Sequence, residues 1–360
     1  LSSSPKILHI LSGDLWAGKE YQVVALLTGM KALGHVQSVL LFNEAESAKR
    51  CREVGAVVTV IDEEQGFFSL LAKSRKRLAA EIVVAHGYKE ALLGLILSRS
   101  FGAKLITVHH GMLEDSKRLK PKIYNAVKLF ISRFFSNRSV FVSEDLRNVL
   151  GFSNNPSTAV IHNALSGEDL VVGPLSSTES GHIVFCGRLV GVKRGDLAIQ
   201  SFREALPMLP ETVNLLVVGD GPEKSNLEDL VRRFNLSDRV RFLGFRMDAR
   251  SLISSARCLL ITSEHEGIPT VMLEAMRATV PVVSTAVGGI TEIARLFPDY
   301  PIALVPRGDR ESISKLLVSF GAAEYESSKG VSPQESERFL SYFSPQRMAG
   351  EYLKLISGLL

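Results

Sequence analysis

Short apolar runs recur along this chain, separated by longer stretches in which apolar positions return every three or four residues. The first kind reads as strands buried on both faces and the second as helices lying against them. In the first half the predicted strands are KILHIL, VQSVLLF, AVVTVI, EIVVAH, KLITVHH, RSVFVS and STAVIH. In the second half they are HIVFCG, VNLLVVG, RVRFLG, CLLITS, VPVVST and IALVP. EYQVVALLTGMKALG and KSNLEDLVRRFN are among the helices between them. Alternation of this kind builds a parallel sheet covered by helices, and two separate series predict two doubly wound, Rossmann-like α/β domains. The break falls in the polar segment SGEDLVVGPLSSTESG, Ser166 to Gly181, which carries neither period. The domains are therefore expected at 1–165 and 182–340, with a linker at 166–181 and a last amphipathic helix at 341–360.

Bulk properties narrow this picture without redirecting it. A chain of 360 residues exceeds what one core usually supports. With 46% hydrophobic and 22% charged residues it has the composition of a soluble globular protein. A net charge of +4 does not point to a nucleic-acid partner. Cys51, Cys186 and Cys258 lie far apart beside apolar sequence, as buried reduced thiols do, which predicts a cytoplasmic setting. The opening LSSSPKILHILSG reads as a first strand rather than a leader, and no apolar run approaches the ~18 residues of a membrane span.

In open parallel sheets ligands bind beyond the carboxyl ends of the strands, so the residues just after each run carry the candidate chemistry. After HIVFCG come Arg188 and Lys193, in GRLVGVKRGD, ahead of a helix expected to start near Asp196. Cations there, with the amide groups of a helix start, suit an anion. After CLLITS comes SEHEGIPTVMLEA, with Glu266 in a loop, Pro269 in the first turn of a helix and Glu274 a little over one turn inside. Two acids flanking a helix start that attracts phosphate are suited to hydroxyl groups on either side of it. That spacing brackets a sugar diphosphate nucleoside, one acid for each ring. Gly219-Asp220-Gly221 reads as a tight strand-to-helix turn, and Val287-Gly288-Gly289 as a second glycine loop entering a helix. In the first half Gly13 and Gly18 follow the first strand, and His109 and His110 follow KLITV.

With these residues in place, the second half resembles the C-terminal domain of the family 4 glycosyltransferases, a retaining group with the GT-B fold. GRLVGVKRGD, VVGDGPEKSNLEDLV, RVRFLGF, SEHEGIPTVMLEAM, PVVSTAVGGITEI and FSPQRMAGEYLKLISGLL occur in that family's order. The first half is similar more loosely, through LWAGKE, ALGH, TVHHG, VFVSEDLRNVL and VIHNAL. The resemblance implies two domains facing across a cleft, an N-terminal acceptor domain, a C-terminal nucleotide-sugar domain, and a last helix that crosses back to the first. It also implies residue roles. Arg188 and Lys193 would contact the diphosphate, Glu274 the ribose and Glu266 the transferred sugar. Gly18 would turn backbone N–H toward the phosphates and His109 would touch the sugar near the reacting carbon. Gly267, Ile268, Pro269, Thr270 and Val271 would complete the donor site. Thr279 stands where the family usually has glycine, at a cap whose left-handed backbone threonine disfavours.

The implied reaction moves a hexose-type sugar from a nucleotide-diphosphate sugar, UDP rather than GDP, to a glycan or lipid-linked acceptor of cell-surface polysaccharide or lipopolysaccharide. No cofactor and no metal are expected, since the chain contains no Asp-x-Asp and the two cations take a metal's place at the leaving group. Glu264-His265-Glu266 is set aside as a metal site because alternation points His265 away from the acids. A glycoside hydrolase would leave the cations unexplained. A sugar-nucleotide 2-epimerase of the same architecture and a non-enzymatic nucleotide-sugar-binding module are the alternative readings. The basic and apolar segment 116–138 is a candidate for peripheral contact with an anionic membrane, on the cytoplasmic face of the inner membrane.

Overall fold

A computed structural model describes residues 5–13, 16–61, 78–111, 119–166, 180–322 and 331–360. The chain divides into two compact units, Leu1–Ser166 with Ser341–Leu360, and Gly167–Leu340.

The first unit holds β1 (Ile7–Leu11), α1 (Gly18–Ala32), β2 (Ser38–Leu41), α2 (Glu46–Glu53), β3 (Val57–Val60) and β4 (Ile82–Ala85). It continues with α3 (Tyr88–Phe101), β5 (Lys104–His109), α4 (Leu119–Phe134), β6 (Arg138–Phe141), α5 (Glu144–Val149) and β7 (Thr158–Val160). Its seven strands among the described residues are all parallel, in the order β3-β2-β1-β4-β5-β6-β7. The central strands β1 and β4 are buried along their whole length, because helices cover both faces.

The second unit holds β8 (Ile183–Cys186), α6 (Gly195–Ala205), β9 (Leu215–Val218), α7 (Lys224–Arg233), β10 (Val240–Gly244), α8 (Ala249–Ser254) and β11 (Cys258–Ile261). After these come α9 (Thr270–Arg277), β12 (Val282–Thr285), α10 (Gly288–Leu296), β13 (Ile302–Val305), α11 (Arg310–Ala322) and α12 (Pro333–Tyr342). The order β10-β9-β8-β11-β12-β13 is again parallel throughout. Each apolar run read as a strand is one, and both sheets reverse their order at the first strand. These switch points, β1/β4 and β8/β11, leave a crevice beyond the strand ends.

The last helix, α13 (Pro345–Ser357), returns to the first unit. Ser344 caps it, its Oγ accepting from the Arg347 N–H, and Pro345 occupies the first turn. Its apolar face, Met348, Ala349, Tyr352 and Ile356, joins the core formed by Ile7, Leu26, Met30, Ile106 and Val140. Contact with α1 is so close that a Cβ on Gly29 would stand 2.0 Å from the Pro345 carbonyl oxygen. Arg347 also donates to the His162 carbonyl at 2.9 Å, and the Tyr342 hydroxyl meets His162 Nδ1 at 2.9 Å, so VIHNAL is tied to the returning chain.

Candidate functional site

In the second unit, β8 runs into Gly187 and Arg188, whose side chain is exposed. A short 3-10 turn, Gly191–Lys193, follows, and Arg194 then takes a left-handed backbone, φ 51°, to turn the chain into α6. This turn is fastened to the end of β11. The Glu264 N–H donates to the Val192 carbonyl at 2.8 Å, and Thr262 Oγ1 donates to the carbonyls of Lys193 and Arg194 at 2.9 and 2.8 Å. The two strands at the switch point thereby deliver their loops to one place.

There Lys193 Nζ donates to Glu266 Oε1 at 2.5 Å, and Ser263 Oγ donates to the same oxygen at 2.6 Å. Glu266 is 9% exposed and Lys193 27%, so the pair is sheltered yet reachable from solvent. Arg194 points elsewhere: its guanidinium grips Asp196 at 2.9 and 3.0 Å and Glu264 at 2.5 Å. Those hydrogen bonds raise the Arg194 pKa. His265, between the two acids, is exposed.

α9 begins at Thr270, with Pro269 as its extended N-cap at φ −67° and ψ 126°, one position earlier than a first-turn proline. Gly267, Ile268 and Pro269 are buried beneath the turn, and Val271 is half-buried in the first turn of α9. Glu274, 13% exposed, receives Arg250 Nε from α8 at 2.7 Å. Glu266 and Glu274 thus stand on either side of the helix start, each already holding a cation. Such a helix start presents amide N–H groups that lack intrahelical acceptors.

Glycines make this packing possible. A Cβ on Gly288 or Gly289 would stand 1.9 Å from the Glu266 carbonyl oxygen or 2.4 Å from that of Gly267. Gly219 and Gly221 play the same part under the other loop, where a Cβ would stand 1.9 and 2.3 Å from the carbonyl oxygens of Gly187 and Leu189. The GxG of this chain is therefore a seat for a neighbouring loop. Cys186, half-buried at the end of β8, is pushed up to about 12 by burial and the nearby Glu274 charge. Among the described residues no group of three or more His, Cys, Asp or Glu is arranged to hold a metal ion. A cavity of about 210 Å³ adjoins Lys193 between α6 and α7. It is smaller than the ~300 Å³ at which ligand pockets begin, so it does not by itself enclose a nucleotide sugar.

The first unit has its own polar cluster at the β1/β4 switch point. Gly18 opens α1 and is exposed, with Ala17 as N-cap. Lys19 Nζ next to it donates to Ser12 Oγ at 2.9 Å and to Glu90 Oε1 at 3.1 Å. Burial works against the Glu90 carboxylate, but Lys19 and backbone N–H groups hold its pKa below the usual value. His9, His86 and His110 form a chain of ring nitrogens, 3.1 Å at each step.

His109 is placed differently from the expectation that it touches a sugar. It is 2% exposed, stacked on Phe141 with ring centroids 4.6 Å apart, and its Nε2 lies 3.0 Å from Ser132 Oγ. Burial lowers its pKa well below the usual histidine value. His110, half-buried at the strand end, is the histidine at the sheet's carboxyl edge. Sequence reasoning also missed Arg194, Arg250, Ser263 and the Lys19–Glu90 pair. Arg194 had a signal in its place beside Lys193, whereas Arg250 lies 24 residues from Glu274 and had none. Of the segment 116–138, residues 116–118 lie outside the described residues and most of the rest is α4.

Known proteins resemble this chain in sequence and fold. Residues 172–320, within the second unit, match the family model described as Glycosyl transferases group 1. The N-acetyl-alpha-D-glucosaminyl L-malate synthase of Bacillus anthracis is 38% identical over 102 residues, 28% of this chain and 26% of that protein. A phosphatidylinositol N-acetylglucosaminyltransferase subunit of Homo sapiens is 31% identical over 207 residues, 55% of this chain and 42% of that protein. The chain thus spans less than half the length of either curated relative. The crystal structure of Anabaena Alr3699/HepE in complex with UDP and glucose superposes with a TM-score of 0.81 at 19% identity, covering 99% of this chain and 100% of that one. With two all-parallel Rossmann-like units and a last helix that returns to the first, the chain has the GT-B fold and is related to the group 1 glycosyl transferases.

Proposed function

We propose that this protein is a retaining, metal-independent glycosyltransferase of family 4. It moves a hexose-type sugar from a UDP-sugar to a glycan or lipid-linked acceptor, in the cytoplasm. The observation that carries the reading is the Lys193–Glu266 pair, fixed by backbone clamps at a strand switch point beside the start of α9, with Glu274 one turn inside. A UDP donor is favoured over GDP because the Anabaena protein of the same fold holds UDP and glucose in its crystals.

Departure of a nucleoside diphosphate builds negative charge on the β-phosphate oxygen while the anomeric carbon becomes cationic. Arg188, Lys193 and the first amides of α9 are the groups of this unit suited to that negative charge. In this reading Glu266 orients sugar hydroxyls while Lys193 turns from it, or bridges it, toward the pyrophosphate. Glu274, steadied by Arg250, takes the ribose hydroxyls, and Gly267, Ile268, Pro269 and Val271 form the floor. In the first unit Gly18 and His110 lie at the polar carboxyl edge of the sheet, and the buried His109 supports that edge from beneath.

The test is a thermal-shift screen of UDP-glucose, UDP-N-acetylglucosamine, GDP-mannose and ADP-glucose, since a true donor stabilises the fold by mass action. Transfer is then followed with glycan and lipid-linked acceptors in EDTA, and the anomeric configuration of the product is read by NMR. Stabilisation by a UDP-sugar and transfer that survives EDTA are expected. Donor isomerised without acceptor would replace the reading with an epimerase, and donor bound without turnover would replace it with a binding module.

A further inference from the structure

Lys128 is a buried lysine without a counter-charge. It lies on α4 at 8% exposure, and its Nζ donates to the Val108 carbonyl at 2.9 Å, its one protein acceptor among the described residues. An ammonium carries three N–H donors, and lysine is rarely buried unless it is paired. The other cation nearby is satisfied: Lys19 Nζ meets Ser12 Oγ at 2.9 Å, Glu90 Oε1 at 3.1 Å and Glu20 Oε1 at 3.3 Å. Glu90 Oε1 also accepts from the Ser12 N–H at 2.9 Å. Two Lys128 N–H groups remain without an acceptor.

A second polar atom at the same carboxyl edge is unsatisfied. His110 stands two residues after Val108, and its Nδ1 is buried with no partner among the described residues. Its Nε2 faces His86 Nδ1 at 3.1 Å. Burial, then the charge of Lys128, then that of Lys19 hold the His110 pKa well below its usual value. Burial lowers Lys128 to about 8, with Glu90 opposing the fall and Lys19 adding to it. These side chains therefore share one electrostatic neighbourhood. Leaving buried donors unmet costs more than a lost hydrogen bond, so their convergence marks a place for an acceptor-only group.

We propose that Lys128 and His110, with Lys19 beside them, form a subsite for an oxyanion, a carboxylate or phosphate carried by the acceptor. The anion accepts from the two remaining Lys128 N–H groups and from His110 Nδ1–H. That direction has His86 Nδ1–H donate to His110 Nε2 and His9 Nδ1–H donate to His86 Nε2, so a chain of neutral rings fixes the tautomer that donates to the ligand. Assignment to the acceptor rests on the transferase reading, in which the donor's diphosphate takes Arg188, Lys193 and the first amides of α9.

Glycerol 3-phosphate, glycerate and glycerol, related probes that differ in charge, are titrated into the protein by calorimetry and by carbon NMR of the lysine Cε signals. Both anions should bind and glycerol should not. The Lys128 titration midpoint should rise from about 8 when either anion is bound, because an opposite charge favours the ammonium. Lys128→Met should lose about tenfold to a hundredfold in anion affinity, as removal of a charge-assisted hydrogen bond does. Its melting temperature without anion should equal or exceed that of wild type, since an apolar chain replaces an uncompensated charge. A lysine that served the Val108 carbonyl alone would melt lower when lost. The NMR midpoint in the wild-type protein decides even where the variant folds poorly. Anions that leave this midpoint unmoved, or that bind Lys128→Met as tightly as wild type, would overturn the inference. So would displacement of the anion by UDP, which would give the subsite to the donor. Anion binding in a protein that binds no UDP-sugar would uphold the subsite and count against the transferase reading instead.

Discussion

Gly288 and the carbonyl oxygen of Glu266 stand closer than any side chain permits: a Cβ at residue 288 would lie 1.9 Å from that oxygen. The loop that carries the acid rests on bare backbone, and Gly288 also has φ 53°. Gly288→Ala should therefore lift the Glu266 turn off α10 and lower stability by about 2 kcal/mol. Donor affinity should fall by more than the loss of stability alone explains, since the lysine and its carboxylate part. Urea melts with calorimetric titration of a UDP-sugar check this, and wild-type affinity in the variant would show that the turn tolerates the shift.

Lys193→Ala removes the cation from the Glu266 pair and from the diphosphate it is proposed to hold. Charge-assisted hydrogen bonds of this kind are worth roughly 1.5–3 kcal/mol, so affinity should drop about tenfold to a hundredfold. Glu274→Ala should produce a similar loss, and Arg250→Met a smaller one, because the carboxylate then keeps its hydroxyl partner but loses the group that aims it. If Lys193→Ala and Glu274→Ala bind donor as wild type does, the site lies elsewhere.

Thr279 occupies the left-handed cap after α9 with φ 54°. Its N–H reaches the Met276 carbonyl at 2.9 Å and the Val280 N–H reaches that of Ala275 at 2.9 Å, the two bonds of a Schellman cap. A β-branched residue is strained there, where glycine is not. Thr279→Gly should raise stability by roughly 1 kcal/mol after allowing for glycine's freer unfolded chain, with donor affinity unchanged. Asn235→Gly, at another left-handed cap with φ 54°, should do little, because asparagine tolerates the region. Denaturant midpoints of both variants provide the comparison.

Acid should weaken the first unit. Burial pushes His9 down to about 4 from 6.5, and His86 and His110 are lowered by burial as well. The unfolded chain takes up these protons as pH falls through 6.5, while the folded unit refuses that of His9 until near 4 and holds His86 and His110 neutral to well below 6.5. Stability is thus full above pH 6.5 and declines below it. His9 alone accounts for on the order of 2 kcal/mol at pH 5. Melting curves from pH 7 to 4.5 should show this decline, and His9→Phe should flatten it.

The thirteen strands of the described residues were legible because a parallel sheet covered on both faces demands nearly continuous apolar runs. Lys193, Glu266 and Glu274 were legible for a related reason: strand ends are where such sheets act. The same rule could not separate His109 from His110, since with both faces of β5 covered, alternation does not reveal which residue leaves the core. Arg250 reaches Glu274 only through the packing of α8 on α9, a contact without local trace.

The return of α13 has a consequence for how the molecule is made. Met348, Tyr352 and Ile356 fill a core begun by Ile7, so the amino-terminal unit is still missing a wall when translation has passed the whole of its partner. The earlier-synthesised unit waits, with α1 and its Gly29 notch uncovered, until α13 has been made. A premature stop codon shortly before Pro345 would therefore injure the half of the protein that was translated first.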